Sequence, residues 1–109
     1  MEKLSVVISV FNEEENVIPL YEQISNALTG FDYEVIYVDD GSSDDTIKKI
    51  RTIRDEKVHV IEFKKNYGQS SALLAGFDYA SGDYVITMDG DLQNDPSDIP
   101  MMVQKAKEG

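Results

Sequence analysis

Leu4-Ser5-Val6-Val7-Ile8-Ser9-Val10-Phe11 is a run of apolar and β-branched residues that predicts a buried β-strand. Three later runs have the same character and are bounded by polar or glycine-containing turns. They cover residues 33–38, 58–63 and 83–88. The sequence therefore predicts four strands.

The segments between these runs have the spacing of amphipathic helices. The first helix is predicted to begin at Asn16, because Pro19 then falls in the first turn, where its missing N–H does no harm. Its apolar positions share one face and are Val17, Tyr21, Ile24 and Leu28. The second helix follows cap-forming and acidic residues at 42–45.

A third helix is predicted over residues 69–80, and its small residues Ala72, Ala75 and Gly76 would let it lie close to the sheet. A fourth begins near Pro96 or Ser97. Connections of this length join parallel strands by right-handed crossovers rather than hairpins. The predicted fold class is α/β: a Rossmann-like three-layer sandwich with a four-stranded, mainly parallel sheet, formed by residues 1–109 as one domain.

The length, charge and cysteine content of the chain limit which partners and which cellular compartment are expected. A chain of 109 residues suits one folding unit, and its formal net charge of −11 argues against nucleic acid as a partner. The chain contains no cysteine, which fits a reducing compartment, so we expect a cytoplasmic protein. The N-terminal apolar stretch is far shorter than a membrane span and lacks the layout of a signal peptide, so no membrane span is expected.

Polar residues gather just after three of the predicted strands, in segments 11–14, 39–43 and 89–93. Ligands of open parallel sheets bind beyond the carboxyl ends of the strands, so these segments should meet at one rim. Asp89 and Asp91 lie one residue apart, and Gly90 permits the bend between them. Such a carboxylate pair suits Mg²⁺ or Mn²⁺ bridging a nucleotide diphosphate.

Other polar residues have open interpretations. Asp39 and Asp40 precede Gly-Ser and a helix, so they are either ligand-binding residues or ordinary turn and cap residues; both roles can coexist. The segment 66–69 leads into the third helix, whose free N–H groups are a candidate phosphate site, although it carries no Walker pattern. His59 lies at the start of the third strand, away from the rim, and is interpreted as a surface residue without a role.

Three segments together carry a resemblance: Val-Val-Ile-Ser-Val-Phe-Asn-Glu at 6–13, Val-Asp-Asp-Gly-Ser at 38–42 and Met-Asp-Gly-Asp-Leu-Gln at 88–93, with Asn66-x-Gly68 and Ala75-Gly76 between them. They resemble the family-two inverting glycosyltransferases, and most of all the polyprenyl-phosphate branch of the dolichol-phosphate mannose synthase type. The likeness spans essentially the whole chain. It implies the N-terminal, nucleotide-sugar-binding half of a GT-A fold.

The resemblance also implies roles for individual residues. Phe11 and Glu13 would line the base and ribose pocket, and Asp40 would contact the base near the Val38 backbone. Asp89, Asp91 and Gln93 would hold Mg²⁺ or Mn²⁺ against the diphosphate. The full implied nucleotide-sugar site comprises Phe11, Asn12, Glu13, Val38, Asp39, Asp40, Asn66, Gly68, Asp89 and Gly90.

Two positions depart from the family pattern, which often has proline at position 9 and tyrosine at position 11, where this chain has Ser9 and Phe11. Phe11 keeps the stacking face and loses a hydroxyl. Family members have a longer catalytic domain, whose second half supplies the acceptor site and the general base. No catalytic residue is therefore predicted in this chain, and we expect it to hold a donor better than it turns over sugar.

The reaction implied by the resemblance is metal-dependent transfer of a sugar, with inversion, from a UDP- or GDP-linked donor to an acceptor such as a polyprenyl phosphate. A longer form would work at the cytoplasmic face of a membrane. The alternatives are a non-catalytic metal- or nucleotide-binding module and a half-domain that self-associates through an uncovered face. A calcium-binding EF-hand fails, because its sixth and twelfth positions would be Asn94 and Pro100 instead of Gly and Glu. A phosphoacceptor receiver domain would carry its acidic pair after the first strand, not the second.

Overall fold

Strands and helices alternate along the chain in the computed structural model, which describes residues 2–90 and 98–108. The elements are β1 (Lys3–Val10), α1 (Val17–Ala27), β2 (Asp32–Asp39), α2 (Thr46–Arg51), β3 (Val58–Glu62), α3 (Gln69–Tyr79), β4 (Tyr84–Asp89) and α4 (Ile99–Glu108). Each strand lies within one residue of its predicted bounds. Within the two described ranges, no helix has the length and apolar character that a membrane crossing requires.

The observed first residues of α1 and α4 can be compared with the predicted ones. Asn16 is the N-cap of α1 and Pro19 lies in its first turn, as predicted. The fourth helix begins at Ile99. Its predicted start at Pro96 or Ser97 lies outside the described residues.

The four strands form one parallel sheet in the order β3-β2-β1-β4. The chain runs from β1 outward to β3 and then crosses back to place β4 on the other side of β1. Ser9 is consequently aligned with Val38 on one side and with Asp89 on the other. The strand order reverses between β1 and β4, and such a switch point is where open α/β sheets form their ligand crevice.

Helices cover both faces of the sheet, which confirms the predicted three layers. Buried side chains of α1, α2 and α4 pack with alternate residues of β1 and β2 in a large core, and α3 packs on the opposite face. The members of the large core that come from helices are Val17, Leu20, Ile24, Ile50, Ile99 and Val103. The opposite face is formed by Val7, Ile36, Val38 and Ala72.

The third helix lies close to the sheet because it presents small residues. A Cβ atom at Gly76 would lie 2.2 Å from Cγ1 of Val7, and Ala72 is fully buried. The expectation drawn from the small residues of this helix is thus confirmed for these two positions. Close packing fixes the height of α3 above β1, and with it the place where the helix begins.

A buried carboxylate lies at the amino ends of the strands, opposite the predicted rim. Glu34 of β2 accepts hydrogen bonds from the Ser5 hydroxyl at 2.6 Å and from the Ser81 N–H at 2.8 Å. Lys3 and His59 lie 3.5 and 3.6 Å from its other oxygen. His59 is therefore far from the rim, as predicted, but it is half-buried and contacts Glu34 instead of standing alone on the surface.

Candidate functional site

A cleft of about 260 Å³ opens at the carboxyl ends of β1 and β4. Glu13, Asp40 and Asp89 all line it; Glu13 and Asp40 lie in the loops after β1 and β2, and Asp89 is the last residue of β4. The complete lining is Ser9, Val10, Phe11, Glu13, Asp40, Gln69, Asp89 and Gly90. The predicted convergence of acidic loops at one rim is confirmed for these three carboxylates.

The loop after β1 is fastened to the loop after β2. Asn12 adopts a left-handed backbone conformation with φ of 54°, which asparagine tolerates better than most residues. Its N–H donates to the Ser42 hydroxyl at 2.9 Å, and its side-chain oxygen accepts from the Ser43 N–H at 2.8 Å. The Glu13 N–H donates to the Thr46 hydroxyl at 2.9 Å. These bonds hold Glu13 at the cleft, while Asn12 itself lies outside the cleft lining.

Asp39 stabilises the turn that follows β2. It is 1% exposed, and its carboxylate accepts hydrogen bonds from the N–H and the hydroxyl of Ser42. Burial raises the pKa of Asp39, an effect that the Ser42 hydrogen bonds only partly offset and that the nearby charges of Glu62 and Asp44 reinforce. Asp39 therefore acts as a turn residue, one of the two roles predicted for it, and it does not line the 260 Å³ cleft.

Asp40 lines the cleft and also fixes a distant loop. Its two carboxylate oxygens accept the N–H groups of Tyr67 and Gly68 at 2.8 and 3.0 Å. Gly68 is the N-cap of α3, so Asp40 engages the N–H group at the very start of this helix; the predicted phosphate role of the N–H groups within the first turn stays a prediction. Each oxygen of Asp40 has a second lone pair with which a ligand could be bound.

Gly41 allows the two loops to approach each other this closely. Its φ is +76°, and a Cβ atom there would lie 2.3 Å from the carbonyl carbon of Lys65 and 2.6 Å from the nitrogen of Asn66. Only glycine fits without moving the backbone. The Asp-Gly pair of the sequence is thus a structural requirement for joining the two loops.

Gln69, the first residue of α3, donates a hydrogen bond from its side-chain amide to Oδ1 of Asp89. The two residues also line a second cleft of about 300 Å³, together with Leu73, Thr87 and Met88. They therefore form the partition between the two clefts. Gln69 belongs to the segment 66–69 that was predicted as a candidate phosphate site, but no pattern in the sequence indicated its contact with Asp89.

The remaining predicted residues lie elsewhere or are not described. Val38 is fully buried in the sheet, and the exposed Asn66 and the half-buried Gly68 do not line the 260 Å³ cleft. Asp91 and Gln93 lie outside the described residues.

Oxygen ligands dominate the cleft, which suits hard cations such as Mg²⁺ and Mn²⁺. Asp89 places a carboxylate in the cleft at the end of β4, and Glu13 and Asp40 add negative charge to the same cleft. Among residues 2–90 and 98–108, no three acidic or histidine side chains lie close enough together to hold a metal ion. The other two predicted metal ligands are Asp91 and Gln93, which lie outside the described ranges.

Comparison with known proteins finds relatives across almost the whole chain. Residues 5–109 match the family model described as "Glycosyl transferase family 2". The chain is 48% identical over 112 residues to the undecaprenyl-phosphate 4-deoxy-4-formamido-L-arabinose transferase of Proteus mirabilis (strain HI4320), an alignment that covers 98% of this chain and 34% of that protein. The Klebsiella pneumoniae (strain 342) protein of the same name is 43% identical, with 100% and 35% covered. The chain thus spans about a third of the length of these curated relatives.

A solved structure shows the same architecture. Glucosyl-3-phosphoglycerate synthase from Mycobacterium tuberculosis, in complex with Mn²⁺, uridine diphosphate and phosphoglyceric acid, superimposes with a TM-score of 0.81 at 27% identity. The superposition covers 99% of this chain and 40% of that one.

Proposed function

Because this chain belongs to glycosyl transferase family 2, we propose that it forms the donor-binding part of a metal-dependent, inverting glycosyltransferase. Its substrate is a sugar linked to uridine or guanosine diphosphate. The observation that carries the proposal is the cleft at the β1–β4 switch point, where Glu13, Asp40 and Asp89 come together.

Different residues of the chain would contact different parts of the donor. Phe11 is 45% exposed beside the cleft and offers an aromatic face to the base, while Glu13 and Asp40 offer carboxylate oxygens to base N–H groups or ribose hydroxyls. Asp89, with Asp91 and Gln93, would hold Mg²⁺ or Mn²⁺. When bound, this ion neutralises negative charge that builds on the departing nucleoside diphosphate.

The acceptor we propose is a polyprenyl phosphate, because the Proteus and Klebsiella relatives carry undecaprenyl phosphate in their name. Attack by the acceptor phosphate at the anomeric carbon would invert that carbon in a single displacement. We place this reaction at the cytoplasmic face of a membrane. The acceptor site and any general base would come from polypeptide of the kind that the longer relatives possess.

A thermal-shift experiment tests the proposal. Uridine and guanosine diphosphate are each added with and without Mn²⁺. One of them, with Mn²⁺, should raise the melting temperature by about 5 °C at saturating ligand, because a ligand that binds only the folded state stabilises it. No shift in any of the four conditions would refute the proposal and favour a module without donor binding.

A further inference from the structure

We propose that Gln69 is a positioning residue that orients the Asp89 carboxylate toward the donor cleft; the inference rests on the proposed function. The side-chain amide of Gln69 donates to Oδ1 of Asp89, 20 positions away in the chain. A hydrogen bond to an ionised carboxylate is stronger than one between neutral groups. The bond therefore restricts rotation of the Asp89 side chain at the end of β4.

The backbone that carries Gln69 is itself held in place. Asp40 accepts the N–H groups of the two preceding residues, Tyr67 and Gly68, at 2.8 and 3.0 Å. From the other side, Gly76 lets α3 pack directly on Val7. The start of α3 is thus fixed relative to both β1 and β2, and the amide of Gln69 reaches Asp89 from a rigid support.

The location of the pair shows why orientation matters. Gln69 and Asp89 separate the 260 Å³ cleft, which holds Glu13 and Asp40, from the 300 Å³ cleft beside Leu73. A rotated Asp89 could present its oxygens to the second cleft, away from the other carboxylates. Gln69 thereby couples the loop held by Asp40 to the geometry of a metal-binding carboxylate.

Calorimetric titration of uridine and guanosine diphosphate, with and without Mn²⁺, tests this role in wild type, Gln69→Ala and Gln69→Met. Gln69→Met keeps a neutral side chain of similar length but has no N–H to donate. Gln23→Ala, an exposed glutamine of α1, is the matched control. Loss of a residue that orients a metal ligand typically weakens metal binding about 10- to 100-fold.

We expect both Gln69 variants to lose about tenfold of the affinity measured with Mn²⁺. Their metal-free affinity and melting temperature should match those of wild type and Gln23→Ala. An undiminished gain from Mn²⁺ in the Gln69 variants would overturn the positioning role and leave the proposed function intact. Equal weakening with and without Mn²⁺ would overturn it too, because it indicates direct contact with the nucleotide. Absence of any binding by wild type would reject both proposals.

Discussion

Oδ2 of Asp40 accepts the backbone N–H of Gly68 at 3.0 Å, across 28 positions of sequence. The bond joins the loop at the end of β2 to the loop that starts α3. With the neighbouring bond from Tyr67, it means that Asp40 lines the 260 Å³ cleft and also holds the loop that leads to Gln69, another residue of the cleft lining.

Asp40→Asn should release this anchor. An asparagine retains one accepting oxygen, so one of the two N–H groups loses its partner, at a cost of about 1.5–3 kcal/mol for a hydrogen bond to a charged group. Hydrogen exchange followed by NMR should show faster exchange of the Tyr67 and Gly68 amides. Asp45→Asn, at an exposed position of the neighbouring loop, is the control. Unchanged protection in Asp40→Asn would show that the carboxylate does not hold the loop.

Gly41→Ala should destabilise the protein more than Gly30→Ala. Both glycines have positive φ, so both alanines incur the left-handed penalty of about 1–2 kcal/mol. Only at position 41 would the new Cβ overlap a backbone, that of Lys65 and Asn66, which adds a cost of about 1–3 kcal/mol. Urea denaturation of the two variants measures the difference, and equal losses would contradict the close approach of the two loops.

Glu34→Gln should lower the free energy of unfolding at neutral pH by about 2 kcal/mol, because a buried carboxylate that accepts several hydrogen bonds loses its charge. One oxygen of Glu34 takes the Ser5 hydroxyl and both the N–H and hydroxyl of Ser81. Glu22→Gln, on the exposed side of α1, should cost almost nothing. Urea denaturation compares the two, and similar stabilities would argue against the buried network.

The Glu34 carboxylate should also make the free energy of unfolding depend on pH. Burial by itself raises the pKa of Glu34, but hydrogen bonds from Ser5 and Ser81 and the charge of Lys3 outweigh it, so the pKa lies below its ordinary value. An acid with a lowered folded pKa stabilises the fold above its unfolded pKa, and this contribution is lost as the pH falls through the folded value. The stability gap between wild type and Glu34→Gln should therefore narrow on acidification. A gap that stays constant would contradict the lowered pKa.

The fold could be predicted because each element carries its own local signal. The β-branched run of β1, the position of Pro19 in the first turn of α1 and the small residues of α3 all act over a few neighbouring positions. Strand order has no such signal, and it is the order that brings Asp89 beside Ser9. Hence the convergence of the loops was predictable from a general property of parallel sheets, whereas the contacts among them were not.

Side-chain partners at the site depend on distances that only the assembled fold sets. The bonds from Asp40 to Gly68 and from Gln69 to Asp89 join loops whose separation is fixed by packing of α3 on β1. Glu34 was missed for a related reason. A charged residue within an apolar strand gives no hint that Ser5 and Ser81 will meet it.

The most direct test of the central claim is calorimetric titration of the nucleoside diphosphates into Asp89→Asn, with and without Mn²⁺. Asp32→Asn removes the same charge from an exposed position at the opposite end of the sheet and is the control. If Asp89 holds the ion against the diphosphate, Mn²⁺ should strengthen binding about tenfold or more, about 1.4 kcal/mol, in wild type and Asp32→Asn and have little effect in Asp89→Asn. An equal gain from Mn²⁺ in all three proteins would contradict the account.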